Sequence, residues 1–357
     1  MVGMVQGCSK AAKPLSFSIF SMIACALAAA NLLASDASAQ VVQGQSAVAR
    51  STGSESRSIN EWLTRAHGAS RKIAYVGTFV VSSGGAMSSS KVFHAFEGDQ
   101  QIERVETLSG PPRSIFRHND QVVTFLIDKK IVRSEKRDSA GALSGLLDPT
   151  DSRIADFYKA RHDGVDRVAG VKADVTTLTP KDSIRFGYRI WTEQERGLLV
   201  KSQTLDSAGN VLEQAAFSEL QLDAPVRVDK LVQMMGNVDG YRVERTTLVK
   251  TTAEAEGWAL RSPIAGFMPG NFYKRPAGIP NDLQGVEALQ WTFSDGLASI
   301  SIFVEPFDLQ RHGKEASVSI GATQTLTRRF ANHWLTLVGE VPMSTLKLFA
   351  DNLERRK

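Results

Sequence analysis

From position 73 to about 222 the chain alternates apolar and polar residues with a period of two, the pattern of strands that bury one face. Tyr75-Val76-Gly77-Thr78-Phe79-Val80-Val81 opens the pattern and Lys91-Val92-Phe93-His94-Ala95-Phe96 repeats it. The Gly/Ser-rich stretch 82–90 between them reads as a turn. Further strands are expected at 102–108, 113–117, 121–127, 171–179, 186–192, 198–205 and 211–222. Gly110-Pro111-Pro112, His118-Asn119-Asp120 and Asp206-Ser207-Ala208-Gly209-Asn210 supply the turn chemistry that separates them. One helical interruption is expected near 148–161, where Ile154, Phe157, Tyr158 and Arg161 keep helical spacing. Such a run folds as a large antiparallel sheet, which has to cover one face. With about eight or nine strands curled around helices, it makes an open half-barrel with an apolar concavity. Phe79, Phe93 and Trp191 lie on strands that should curl together, so they are the candidate lining of a lipid cavity. Taken singly, each ring reads first as ordinary core.

On either side of the sheet the pattern changes. Ser58-Ile59-Asn60-Glu61 makes a capping box, and Ile59, Trp62, Leu63 and Ala66 follow at helical spacing. Residues 40–57 are rich in Gln, Ser, Gly and Ala with no apolar period and read as a flexible leader. The half-barrel domain is therefore expected over 58–222, a linker over 223–237 with Leu231-Val232 and Met234-Met235 as packing contacts, and a smaller α+β domain over 238–357. The clearest element of that domain is a hairpin: strand 287–293, turn Ser294-Asp295-Gly296, strand 297–305. Ala298, Ile300, Ile302 and Val304 point one way along it, with Ser299 and Ser301 the other. Residues 335–341 read as another strand, and Pro342 opens a last helix with Leu346, Phe349 and Leu353 on one face. The fold class is mostly β, with α+β character in the second domain.

Residue patterns that carry common chemistries do not occur. There is no G-x-G-x-x-G, Walker A loop, G-x-S-x-G elbow, H-E-x-x-H or EF-hand loop, and the histidines at 67, 94, 118, 162, 312 and 333 lack metal-ligand spacing. Glu193 with Glu195 reads as an exposed turn, not an acid/base pair. Neither an enzyme nor a cofactor or metal is expected. With 42 Lys and Arg against 38 Asp and Glu the formal charge is +4, a poor footprint for nucleic acid. Two local basic features remain: Arg328-Arg329 ahead of Trp334, and Lys129-Lys130 with Arg133, Lys136 and Arg137. Each is either a solvated face or a point of attraction for an anionic lipid head group or acidic partner. Arg328, Arg329 and Trp334 are the candidates for that second role.

Residues 1–39 read as an export signal. Lys10 and Lys13 form a basic region, 15–34 is an uncharged and mostly apolar run, and Ala37-Ser38-Ala39 is a small-x-small cleavage site. A run of about 20 apolar residues also suits a membrane anchor. Met22-Ile23-Ala24-Cys25 loosely resembles a lipobox, although the chain stays apolar from Ala26 to Leu33. Cleavage after Ala39 removes Cys8 and Cys25, leaving a thiol-free chain suited to an oxidising compartment.

Tyr75-x-Gly77-Thr78-Phe79-Val80, Glu103-Arg104-Val105, Leu108-x-Gly110-Pro111-Pro112-Arg113 and Tyr188-Arg189-Ile190-Trp191 resemble the N-terminal domain of the MucB/RseB family. Gly197-Leu198-Leu199-x-Lys201-Ser202, Leu205-Asp206 and Val211-Leu212-Glu213-Gln214 continue the resemblance. The run from Asp295-Gly296-Leu297-Ala298 to Val304-Glu305-Pro306, with Val338-Gly339-Glu340-Val341-Pro342, extends it into the second domain. It covers about residues 59 to 353, while 40–57 and the neighbourhood of 91–96 match nothing in it.

The resemblance implies a periplasmic, negative regulator of the envelope-stress sigma factor, sigma-E. It implies a larger domain similar to lipoprotein carriers of the LolA/LolB type, an unclosed barrel with helices in its mouth. The implied partner is the periplasmic part of a membrane anti-sigma factor, shielded from regulated proteolysis until lipopolysaccharide or lipoprotein is sensed. A lipid or lipoprotein carrier using the same half-barrel is the alternative, and an exported hydrolase a more distant one. A homo-oligomer is left open.

Overall fold

The computed structural model describes residues 59–136, 154–246, 248–276 and 287–356. The export signal and the leader lie outside them. Helix α1 (Ile59–Lys72) carries Glu61 in its first turn and Arg71 and Lys72 in its last, which complements the helix dipole. A run of strands follows: β1 (Tyr75–Ser83), β2 (Ala86–Glu97), β3 (Gln100–Thr107), β4 (Arg113–His118), β5 (Gln121–Leu126) and β6 (Ile131–Lys136). After the one-turn helix α2 (Ile154–Phe157) come β7 (Tyr158–Val168), β8 (Val171–Pro180), β9 (Gly187–Glu193), β10 (Leu199–Leu205) and β11 (Val211–Leu222). Helix α3 (Val228–Gly236) then leads to β12 (Arg242–Thr246).

These strands make one 12-stranded sheet in the order β12-β6-β5-β4-β3-β2-β1-β11-β10-β9-β8-β7. All neighbours are antiparallel except β12, which runs parallel to β6. Its edges, β12 and β7, do not pair with each other, so the sheet stays open.

Both faces are partly covered. On β1 the buried residues alternate, and Tyr75, Phe79 and Val81 join Val92, Val105, Phe217 and the α1 residue Ala69 in one cluster. On the opposite face α3 sets Val228, Leu231 and Met235 against Ala95, Ile102, Phe116, Val123 and Phe125.

The second unit comprises β13 (Val249–Thr251), β14 (Trp258–Leu260), β15 (Met268–Pro276), β16 (Glu287–Ser294), β17 (Ser299–Pro306), β18 (Ala316–Ile320), β19 (Thr323–Phe330), β20 (His333–Gly339), α4 (Met343–Asn352) and β21 (Leu353–Arg355). Seven of the strands form a sheet in the order β13-β15-β16-β17-β20-β19-β18, and β14 pairs with β21. Helix α4 follows Pro342, whose fixed φ suits a helix start, and buries Leu346, Phe349 and Ala350 against Ile300, Ile302 and Leu337.

The structure corrects several expectations. The turn expected over 82–90 shrinks to Gly84-Gly85, both at positive φ, and the serines that follow are strand. Ser90 is wholly buried opposite Phe79, where a small side chain leaves room for the ring. The helix expected near 148–161 is one turn, and Tyr158 already begins β7, an edge strand whose middle is exposed on both sides. Residues 148–153 lie outside the described residues. The basic cluster is split, Lys129 and Lys130 in the turn before β6 and Arg133 and Lys136 in β6 itself, and the expected linker contains α3, with Leu231 and Met235 buried but Val232 and Met234 exposed. The strand β12, beyond position 238, belongs to the first sheet. Ser299 and Ser301, on the face opposite Ile300 and Ile302, are also buried, so both faces of β17 are covered.

The two sheets also meet at their turns. Gly321, between β18 and β19, lies against Ser83 Oγ and the Leu212 carbonyl with φ +57°, where no Cβ fits. Beside that contact Ser83 Oγ donates to Glu213 Oε2 at 2.8 Å, and burial pushes the Glu213 carboxyl above its ordinary range. A carboxyl raised by folding adds stability at acidic pH that is lost as pH rises through its folded value. Glu213→Gln is therefore expected to raise the melting temperature at pH 7 by a few degrees and to leave it unchanged at pH 4. Thermal melts at the two pH values check this, and a lower melting temperature at pH 7 would refute it.

Candidate functional site

Two of the three predicted cavity rings come together. Phe79 is 1% exposed and meets Phe217 edge-on at 6.3 Å between ring centroids. Trp191, 5% exposed, belongs to the same cluster. Its indole Nε1 donates to Asp166 Oδ2 at 2.9 Å, and Lys201 Nζ stands 4.3 Å from its ring centroid. The Arg167 backbone N–H, and then the Trp191 bond, hold the Asp166 carboxyl below the usual carboxylate range. Phe93 is elsewhere. It pairs with Val76 while Phe79 pairs with Ser90, so the two phenylalanines point to opposite faces of the sheet. Phe93 is half-buried beside the α3 cluster, with Lys91 and Arg104 at 5.5 and 5.6 Å from its ring. The three rings do not line one concavity.

The arginine pair also divides. Arg328 reaches the end of α4, donating to Asp351 Oδ1 at 2.6 Å and to the Ala350 carbonyl at 2.7 Å, where a cation satisfies orphan carbonyls. Arg329 lies 4.2 Å from the Phe307 ring centroid, and Trp334, opposite it in register, stacks on His312 at 5.1 Å. Arg328 is thus a structural lock, while Arg329 belongs to a separate aromatic stack.

In the other basic cluster, Arg133 pairs with Glu244 at 3.0 Å and Lys136 with Asp120 at 3.2 Å. Arg137 lies outside the described residues. Glu193 is buried, and its carboxylate accepts the backbone N–H of Glu195 and of Arg196. Among the described residues no group of three His, Cys, Asp or Glu side chains is placed to hold a metal ion.

Between the domains lies a polar contact that the sequence does not advertise. The side chains of Arg185 and Asp295 are both 0% exposed, and Arg185 Nε donates to Asp295 Oδ2 at 2.6 Å. Arg185 Nη2 donates to the Ala265 carbonyl at 2.6 Å, Nη1 pairs with Asp182, and the guanidinium lies between the rings of Phe157 and Phe267, at 4.4 and 4.8 Å. Gly266, at φ +80°, leaves the space that Nη2 occupies.

Asp295 Oδ1 accepts the N–H groups of Leu297 and Ala298 at 2.9 and 2.7 Å, which shapes the β16–β17 turn. Leu297 at that turn enters the first domain's cluster of Leu63, Ile154, Tyr158, Leu178, Tyr188 and Ile190. Thr345 on α4 adds a bond to the Ile184 carbonyl at 2.9 Å. Burial pushes the Asp295 carboxyl up, against the pull of Arg185 and the two N–H groups. Burial also raises Tyr158 and Tyr188, so both hydroxyls keep their protons, and Tyr158 donates to Asp295 Oδ2 at 3.3 Å. This arrangement joins the two domains.

The comparisons with known proteins agree with that character. A MucB/RseB N-terminal domain family model matches residues 58–235, and a MucB/RseB C-terminal domain model matches 252–354. The sigma factor AlgU regulatory protein MucB of Pseudomonas aeruginosa is 28% identical over 310 residues, 82% of this chain and 89% of its own. The sigma-E factor regulatory protein RseB of Haemophilus influenzae is 24% identical over 286 residues, 79% of this chain and 86% of its own.

Among solved structures, MucB in complex with MucA(peri) is similar with a TM-score of 0.63 at 26% identity, covering 83% of this chain and 98% of that one. The complex structure of Pseudomonas aeruginosa MucA/MucB is similar with a TM-score of 0.64 at 26% identity, covering 84% and 99%. Among the described residues no helix is long and apolar enough to cross a membrane. Two domain matches in order along one chain, on an open sheet joined to a second one, place the protein in the MucB/RseB family of sigma-factor regulatory proteins.

Proposed function

We propose that this protein is a periplasmic, non-enzymatic negative regulator. It binds the periplasmic domain of a membrane anti-sigma factor, shields it from proteolysis, and releases it on sensing an amphiphile such as lipopolysaccharide or lipoprotein. The observation that carries this reading is the match of both domains to a protein solved in complex with MucA(peri). The buried Arg185–Asp295 contact supports it, because it holds the two domains as one binding body. Release then requires only that the amphiphile bind the free form more tightly than the occupied one. The export signal over 1–39, cleaved after Ala39, is part of the same proposal, as is the division into a sheet domain and a smaller partner-binding domain.

The test is a pull-down and a protease-protection assay with the periplasmic fragment of a membrane anti-sigma factor from the same organism. Bound, protected fragment that is lost on adding lipopolysaccharide is the expected result. If the fragment does not bind but the amphiphile does, the protein is a carrier and the proposal fails.

A further inference from the structure

A groove of about 310 Å³ opens on the sheet face that α3 covers. Its walls include Phe116, Phe125, Ile127 and Tyr241, with Met234 of α3 on one side and Arg104 of β3 on another. The state of Arg104 sets this groove apart. Its guanidinium lies over two rings, 5.6 Å from Phe93 and 5.4 Å from Phe116, in a half-buried position. Nη2 pairs with Glu106. Nη1 has the Met234 thioether at 3.4 Å, a weak acceptor, and the buried Nε has no acceptor among the described residues. A half-buried cation whose exposed Nη1 meets only a thioether is suited to an incoming anion, to which a guanidinium makes short, charge-assisted bonds.

The rest of the groove is apolar or aromatic, apart from Ser114, Asn237 and Asp239 on its wall. Met234 is 48% exposed, an unbranched thioether that can swing aside for a guest. We propose that this groove is a binding site for an amphiphilic anion. A phosphate or carboxylate head sits on Arg104 Nη1, and the first methylenes of its chain lie along Met234, Ile127 and Tyr241, over the edges of Phe116 and Phe125. This inference rests on the amphiphile-sensing reading and deepens it. It puts the ligand on the α3 face, on the opposite side of the sheet from the cluster of Phe79 and Trp191. Of the sequence candidates, only Phe93 adjoins it, through Arg104. The groove also borders the 237–241 segment that leads from α3 into β12 and on to the second sheet, so an occupant that displaces Met234 and Tyr241 acts on the connection between domains.

The experiment is calorimetric titration of the purified protein with dodecyl phosphate below its micelle concentration, with dodecanol and inorganic phosphate as separate arms. Dodecyl phosphate is expected to bind at least about 10-fold tighter than either partial probe. Arg104→Gln is expected to weaken it by about 10-fold or more, as loss of a charge-assisted bond does, without changing dodecanol binding. Met234→Trp, which fills the groove, should abolish dodecyl phosphate binding even if Arg104→Gln folds poorly. Equal binding of dodecyl phosphate and inorganic phosphate, or both variants binding like the parent, overturns the site.

Release of the anti-sigma fragment separates the two readings. Should dodecyl phosphate release it equally from the parent and from Arg104→Gln, the groove is not the sensor, although sensing stands. If dodecyl phosphate binds at Arg104 and releases nothing, the sensing reading fails and the groove site remains.

Discussion

Arg185→Ala is expected to cost about 3–5 kcal/mol of stability, the range for breaking a buried ion pair by removing one partner. The substitution leaves the Asp295 carboxylate buried, with only two backbone N–H groups and the Tyr158 hydroxyl for partners. It also empties the space between Phe157 and Phe267. Because this residue reaches both domains, the loss is expected to appear as decoupling. Urea unfolding followed through far-UV signal and through tryptophan fluorescence should split into two transitions where the parent shows one. Arg185→Met combined with Asp295→Leu should recover much of the loss, since paired apolar replacement removes both desolvation penalties. A single undisturbed transition in Arg185→Ala would mean that the domains are held by other contacts.

Phe79→Ala is expected to cost about 3–5 kcal/mol, whereas Phe93→Ala should cost about 1 kcal/mol. The difference follows from position. Phe79 is enclosed by Ala69, Val92, Val105 and Phe217 on the α1 face, and truncation leaves a void there. Phe93 lies half-buried beside the α3 cluster, and its neighbours Lys91 and Arg104 can follow the shortened side chain. Denaturant midpoints at constant slope measure both. Similar losses at the two positions would contradict their assignment to unequal environments.

That contrast also shows what was legible in the sequence. Period-two alternation marks strands such as β1, β5, β8 and β10, where buried and half-buried residues alternate, while β4 and β9 read as short apolar runs because they bury residues on both faces. It fails for β7 and β12, edge strands exposed on both sides, and for β6, where lysine and arginine mask Val132 in the core. Which rings share a face depended on register, and register depended on the turn between β1 and β2. A long Gly/Ser turn over 82–90 left it open, and the two-residue turn at Gly84-Gly85 fixes Phe93 opposite Val76. Arg185 carried no local mark at all. Its partner Asp295 is 110 residues away and read only as a turn residue, and the hydrogen bonds that define the contact appear only once both domains are folded. The mostly-β fold class was legible because it depends on local period alone.

The sheet order has a consequence for how the chain reaches its folded state. Strands β1 to β6 pair in succession, and so do β7 to β11, so each half assembles from near neighbours along the chain. The halves are joined by one seam, β1 against β11, with Tyr75 opposite Leu222. Closing so distant a pair is slow, because the entropy of the whole intervening loop is lost before any contact rewards it. A chain made from its N-terminus therefore carries β1 as an open edge, with unpaired N–H and C=O groups, until β11 has been synthesised. At that seam Gly77 has no side chain and the Phe217 ring lies in the space a Cβ would take. The last ring to arrive thus covers bare backbone, and the waiting strand is a point at which a chaperone has most to protect.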